Sequence, residues 1–119
     1  MATWDDVRRI ATSMPDVTEG VREGVADWRV REKLFVWERP LRGTDLSALG
    51  AAAPSGPILA ARVPDLGVKE ALLASDRSVY FTTPHFQGYP AIFVRLEHIG
   101  VGELEELIVE AWHARARRR

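Results

Sequence analysis

Residues 79–100, VYFTTPHFQGYPAIFVRLEHIG, constrain the fold more than any other stretch, because two strand-like runs flank a connection bounded by prolines. Val79, Tyr80, Phe81, Thr82 and Thr83 are all β-branched or aromatic, the composition that suits a pleated, half-buried surface. Residues 91–96 run apolar except for Arg95 and read as a second strand. The seven residues between them, Pro84 to Pro90, exceed the usual two to five of a hairpin loop and carry three rings, His85, Phe86 and Tyr89. A long ring-bearing loop held on a sheet is a common place for function.

The rest of the chain is read around that pair. Thr3 caps a helix whose apolar positions Trp4, Val7, Ile10, Ala11 and Met14 lie on one face, and Pro15 ends it. Residues 16–24, with two glycines and no helical stripe, read as a connection. Residues 26–40 read as a hairpin. Trp28 and Val30 alternate with Arg29 and Arg31, Glu32-Lys33 makes the turn, and Leu34-Phe35-Val36-Trp37 forms the more central strand before Pro40 stops it. Residues 44–50 can form a short helical turn, and 51–56 read as low-complexity loop. A strand over 58–63 precedes a helix over 66–74 capped by Asp65. The last helix carries Val101, Leu104, Leu107, Ile108, Ala111 and Trp112 on one stripe, with glutamates at its start and arginines at its end, as the helix dipole favours.

The order α-β-β-β-α-β-β-α predicts an α+β two-layer sandwich: a five-stranded antiparallel sheet with helices packed on one face. At 119 residues the chain is expected to be a single domain, 1–119. Such a length buries roughly two-thirds of its unfolded surface, enough for a core without staples. Cysteine is absent, which excludes disulfides and thiolate chemistry. The opening residues MATWDD are acidic and lack an apolar run, and no stretch is apolar enough to span a membrane, so a cytoplasmic protein is expected.

Chemistry-bearing patterns are sparse. His85, His98 and His113 are separated by 13 and 15 residues, which fits no zinc-ligand spacing, so no metal is expected. The only Gly-x-Gly, at Gly100 and Gly102, precedes glutamates rather than a phosphate cradle, so no nucleotide cofactor is expected. Asp76, Thr82, Thr83 and His85 cluster along the chain, but Thr82 and Thr83 point to opposite faces of a strand, and no nucleophile elbow occurs. No catalytic residues are assigned.

Basic residues interleaved with rings are the strongest functional signal. Arg29, Arg31, Lys33, Arg39 and Arg42 belong to or follow the first hairpin and are the candidates for phosphate contacts. The net charge of −1 opposes a surface that is basic throughout, and exposed strand faces carry charges in any soluble protein. Arginine outnumbers lysine 14 to 2, a bias that a GC-rich coding sequence explains. The arginines over 115–119 read as a solvated helix end.

Several segments together resemble the MmcQ/YjbR-like family: the Trp4-Asp5-Asp6-Val7 helix ending at Met14-Pro15, the strand Lys33-Leu34-Phe35-Val36-Trp37, the junction Tyr80-Phe81-Thr82-Thr83-Pro84-His85-Phe86 leading into Ala91-Ile92-Phe93-Val94-Arg95-Leu96, and the last helix with Trp112. The resemblance covers nearly the whole chain. It implies a secretion-chaperone-like α+β fold and a DNA-binding role exercised through a double-wing arrangement of sheet and loops. It implies no catalytic residues. Two functions are therefore carried forward. The first is a non-catalytic DNA-binding module using Arg29, Arg31, Lys33, Arg39 and Arg42, with ring contacts from His85 and Tyr89. The second is a protein- or small-ligand-binding module using the loop residues His85, Phe86 and Tyr89. Either would act as a monomer or weak dimer.

Overall fold

Two strands of this protein are apolar on both faces, and the molecule is built outward from them. The computed structural model describes residues 1–50 and 56–116. Strand β4 (Ile58–Arg62) and strand β6 (Ala91–Arg95) pair antiparallel, and Ile58–Ala61 and Ala91–Val94 are buried throughout. Strands buried on both faces read as continuous apolar runs rather than alternating ones. Around them stand β1 (Val17–Arg22), β2 (Val25–Val30), β3 (Lys33–Glu38) and β5 (Tyr80–Phe81), giving one antiparallel sheet in the order β1-β2-β3-β4-β6-β5.

The larger core lies on one face of this sheet. Helix α1 (Trp4–Thr12) supplies Val7, Ile10 and Ala11, and helix α4 (Val101–Ala116) supplies Leu104, Leu107, Ile108 and Ala111. They meet Trp28, Val30, Val36, Leu59, Ile92 and Val94 from the strands. Helix α3 (Leu66–Ser75) closes the edge of that core with Val68, Leu72 and Leu73. Its cap is the expected one, Asp65 accepting the Val68 N–H at 2.9 Å.

The sheet has six strands, not the expected five. Residues 17–22 form a strand where a connection was expected, joined to β2 by the two-residue turn Glu23-Gly24, both at positive φ. The alternation of β1 is hidden because Glu19, exposed on the same sheet face as its register partner Trp28, is a polar residue held by hydrogen bonds. The Glu19 carboxylate accepts hydrogen bonds from the buried Trp28 indole (2.9 Å) and from Arg8 Nε of α1 (3.0 Å). The next turn is also shifted by one residue. Arg31 and Glu32, at φ 50° and 72°, form it instead of Glu32-Lys33, and Lys33 opens β3. Arg31 is therefore a turn residue, not a strand neighbour of Arg29.

Helices are also not confined to one face. Helix α2 (Gly43–Leu49) and the 3₁₀ turn Pro84–Phe86 lie across the opposite face, where Leu41, Leu49, Trp37 and Phe86 cover Ile58, Ala60, Phe81 and Phe93. The element order gains β1 and α2 accordingly. The loop expected over 51–56 falls mostly outside the described residues, as do the last three arginines.

Candidate functional site

The loop between β5 and β6 is clamped to the sheet at several points. The Val63 N–H and Arg62 Nε both donate to the Pro90 carbonyl, at 2.9 and 3.1 Å. Lys69, buried on α3, donates from Nζ to the carbonyls of Phe86 and Tyr89, the latter at 2.8 Å. Among the described residues no carboxylate pairs with this ammonium, and its desolvation lowers the Lys69 pKa. The sequence marks the rings of this loop but not the lysine that holds it.

Those rings form a ladder with guanidinium groups. Arg39 Cζ stands 5.3 Å from the Phe86 centroid and 5.5 Å from that of Phe93, Phe86 lies 5.5 Å from Tyr89, and Arg62 Cζ stands 4.9 Å from Tyr89. Each guanidinium over a ring face gains from the ring's quadrupole, about 0.5–2 kcal/mol depending on desolvation. Arg62 Nη1 also donates to the Tyr89 hydroxyl at 3.1 Å. Tyr89 is 41% exposed, so the outer end of the ladder offers a ring to solvent.

At the inner end, Arg39 is buried and pairs with Asp45 of α2 at 3.1 Å. Burial raises the Asp45 carboxyl, but the Arg42 amide, Arg39 and His85 together outweigh it and leave the group below its ordinary pKa. Beside this pair opens a groove of about 550 Å³ lined by Glu23, Glu38, Arg39, Arg42, His85 and Phe86. Its charges are of both signs.

The five basic candidates therefore separate. Lys33 and Arg39 stand at opposite ends of β3, roughly 20 Å apart by strand rise. Arg39 and Arg42 flank the mixed groove with His85 and Phe86. Arg29 is drawn toward Asp27 (3.5 Å), which Arg22 also approaches (3.6 Å). Arg31 pairs with Asp16 at 3.1 Å, and its Nη1 donates to the Ala116 carbonyl at the end of α4. Lys33 is exposed. Tyr89 sits apart from His85, at the Arg62 end of the loop.

The structure adds Arg62 and Arg115 to the site: from sequence Arg62 is one of several basic strand residues and Arg115 part of a solvated helix end. Arg115 Nε donates to the Leu34 carbonyl at 3.1 Å, so the C-terminal helix ends against the β2–β3 turn. Burial and the neighbouring Arg62 both lower its pKa, the signature of cations gathered without full neutralisation. The signal was present: position 115 continues the 104–108–111 stripe that α4 turns to the sheet. Arg31 and Arg115 thus meet where the end of α4 joins the β2–β3 turn, with Arg62 beside Arg115 and the exposed Lys33 next to Leu34 in the chain, and Arg117, Arg118 and Arg119 follow directly in sequence.

Among the described residues, no cluster of histidine, aspartate and glutamate is arranged to hold a metal ion, and no helix is long and apolar enough to cross a membrane. Asp76, Thr82, Thr83 and His85, close in sequence but assigned no catalytic role, have separate surroundings. Asp76 accepts from the Ser78 hydroxyl and amide, Thr83 is buried, and His85 lies exposed at the groove.

The YjbR family model matches residues 12–114. The chain is 56% identical over 115 residues to proteins of Mycobacterium bovis and of two strains of Mycobacterium tuberculosis, each described as uncharacterized, covering 94% of this chain and 87% of each relative. No solved structure matches it. With the match running from the end of α1 to the end of α4, the chain belongs to the YjbR family.

Proposed function

We propose that this protein is a non-catalytic nucleic-acid-binding module of the cytoplasm, with its phosphate contacts at the end formed by Arg31, Lys33, Arg62 and Arg115. The observation that carries the reading is the pair of hydrogen bonds, Arg31 to the Ala116 carbonyl and Arg115 to the Leu34 carbonyl, that joins the β2–β3 turn to the end of α4. Cations far apart in sequence act there as one electrostatic surface, although the net charge of the chain is only −1. Tyr89, exposed beside Arg62, supplies a ring on which an unpaired base can stack. Arg39 has a structural part in this reading, because its pair with Asp45 is buried, whereas the Arg31–Asp16 pair is open to solvent and to a competing phosphate.

The test is a titration of duplex and single-stranded DNA of mixed sequence at two salt concentrations. Each neutralised phosphate contributes a slope of about −0.7 to −0.9 in log K against log salt. Micromolar affinity that falls steeply with salt, and falls by about tenfold or more in Arg31→Glu/Lys33→Glu, supports the reading. Equal affinity in that variant, or none at low salt in the wild type, refutes it.

A second reading has its own observation. The groove beside Arg42, His85 and Phe86 carries both signs of charge and an aromatic wall, the composition of a site for a protein segment or small ligand.

A further inference from the structure

Helices α3 and α4 leave a narrow cleft between them. Its walls and floor are apolar: Val68 and Leu72, one turn apart on α3, face Leu107 of α4 above Val63 and Pro64. Along its rim stand Glu103, Glu106 and Glu110, spaced by one turn each on α4. Among the described residues, no cation lies within ion-pair distance of these three carboxylates. The nearest lysine in sequence on the facing helix, Lys69, directs its ammonium instead to the Phe86 and Tyr89 carbonyls. Glu103 is held in place by the buried Tyr80, whose hydroxyl donates to Oε2 at 2.5 Å.

We propose that this cleft binds a linear alkyl polyamine, its methylenes laid on Val68, Leu72 and Leu107 and its ammonium groups set against the rim glutamates. Size and charge select this class. The cleft encloses about 190 Å³, below the roughly 300–1,000 Å³ of sites for drug-sized ligands, so a slender chain fits where a multi-ring molecule does not. An apolar floor beneath carboxylates suits a ligand that alternates hydrocarbon with positive charge, the arrangement by which lysine side chains lie along apolar surfaces with their heads in water. Glu103 and Glu110 are about 10 Å apart along the helix axis, so one extended ligand can meet both. A metal ion is a poor match, because the glutamates are strung along the helix and the facing residues Val63, Pro64, Val68 and Leu72 bring no carboxylate or imidazole. Nothing in this proposal depends on the nucleic-acid surface, which uses none of the residues that line the cleft.

Isothermal titration calorimetry of the full chain with a series of diaminoalkanes, from diaminopropane to diaminohexane, and with spermidine tests it. Burial of the methylenes predicts an affinity that rises up to about fourfold with each one added. Glu106→Gln/Glu110→Gln, both exposed positions, should weaken binding tenfold or more, whereas Leu72→Gln should keep the charge and flatten the dependence on chain length. Affinity independent of chain length in the wild type, or undiminished in the double glutamine variant, overturns the proposal and reduces any binding to general attraction by an acidic helix.

Discussion

At the scale of single residues, the molecule depends on two buried charges that no composition would reveal. Asp45 holds Arg39 over Phe86 and Phe93 and accepts the Arg42 N–H at 2.9 Å, so it ties α2 to the second face of the sheet. Asp45→Ala leaves a buried guanidinium unpaired and should cost about 3 kcal/mol in a urea-unfolding experiment. The pH dependence has a definite sign. A carboxyl held below its ordinary value stabilises the fold above the unfolded pKa of about 4, and loses that contribution as pH falls through the lower folded value. The melting-temperature gap between wild type and Asp45→Asn should therefore be wide at neutral pH and narrow in strong acid. Lys69 is the second charge. Lys69→Met strands the carbonyls of Phe86 and Tyr89, and amide hydrogen exchange over residues 86–91 should quicken well before the rest of the sheet responds.

At the scale of elements, the sequence was most informative where a segment carries one period and least where polar residues turn inward. Helices α1 and α4 were legible from their stripes, and β4 and β6 from unbroken apolar runs. Strand β1 was not, because the polar Glu19 stands on the face it shares with Trp28 and Gly20 replaces a side chain where a Cβ would come within 3.2 Å of Asp27 Oδ1. The β2–β3 turn was misplaced by one residue because neither Arg31 nor Glu32 is a usual choice at positive φ. Among the site residues, the rings of the loop were legible. The separation of the basic candidates was not, since it depends on the six-residue length of β3 and on where α4 ends. The β1–β2 turn carries a prediction. Gly24 sits at φ 82° with open space around it, so Gly24→Ala should destabilise through the backbone alone, by about 1–2 kcal/mol, without altering the core.

At the scale of the whole molecule, charge is separated along α4. Its first turns carry Glu103, Glu105, Glu106 and Glu110, while its end meets Arg31, Lys33 and Arg62. A chain of net charge −1 can thus present a basic end to an anionic partner while its acidic residues gather in the earlier turns of α4. The two-sided core gives this arrangement its rigidity, since α4 packs on one face and the clamped loop on the other. The most direct test maps amide chemical shifts as a single-stranded oligonucleotide is added at low salt. The account predicts shifts concentrated at residues 29–34, at Arg62 and Tyr89, and at the end of α4, reversing when salt is raised. Shifts confined to the groove around residues 38–42 and 85–86, or no shifts at all, would contradict it.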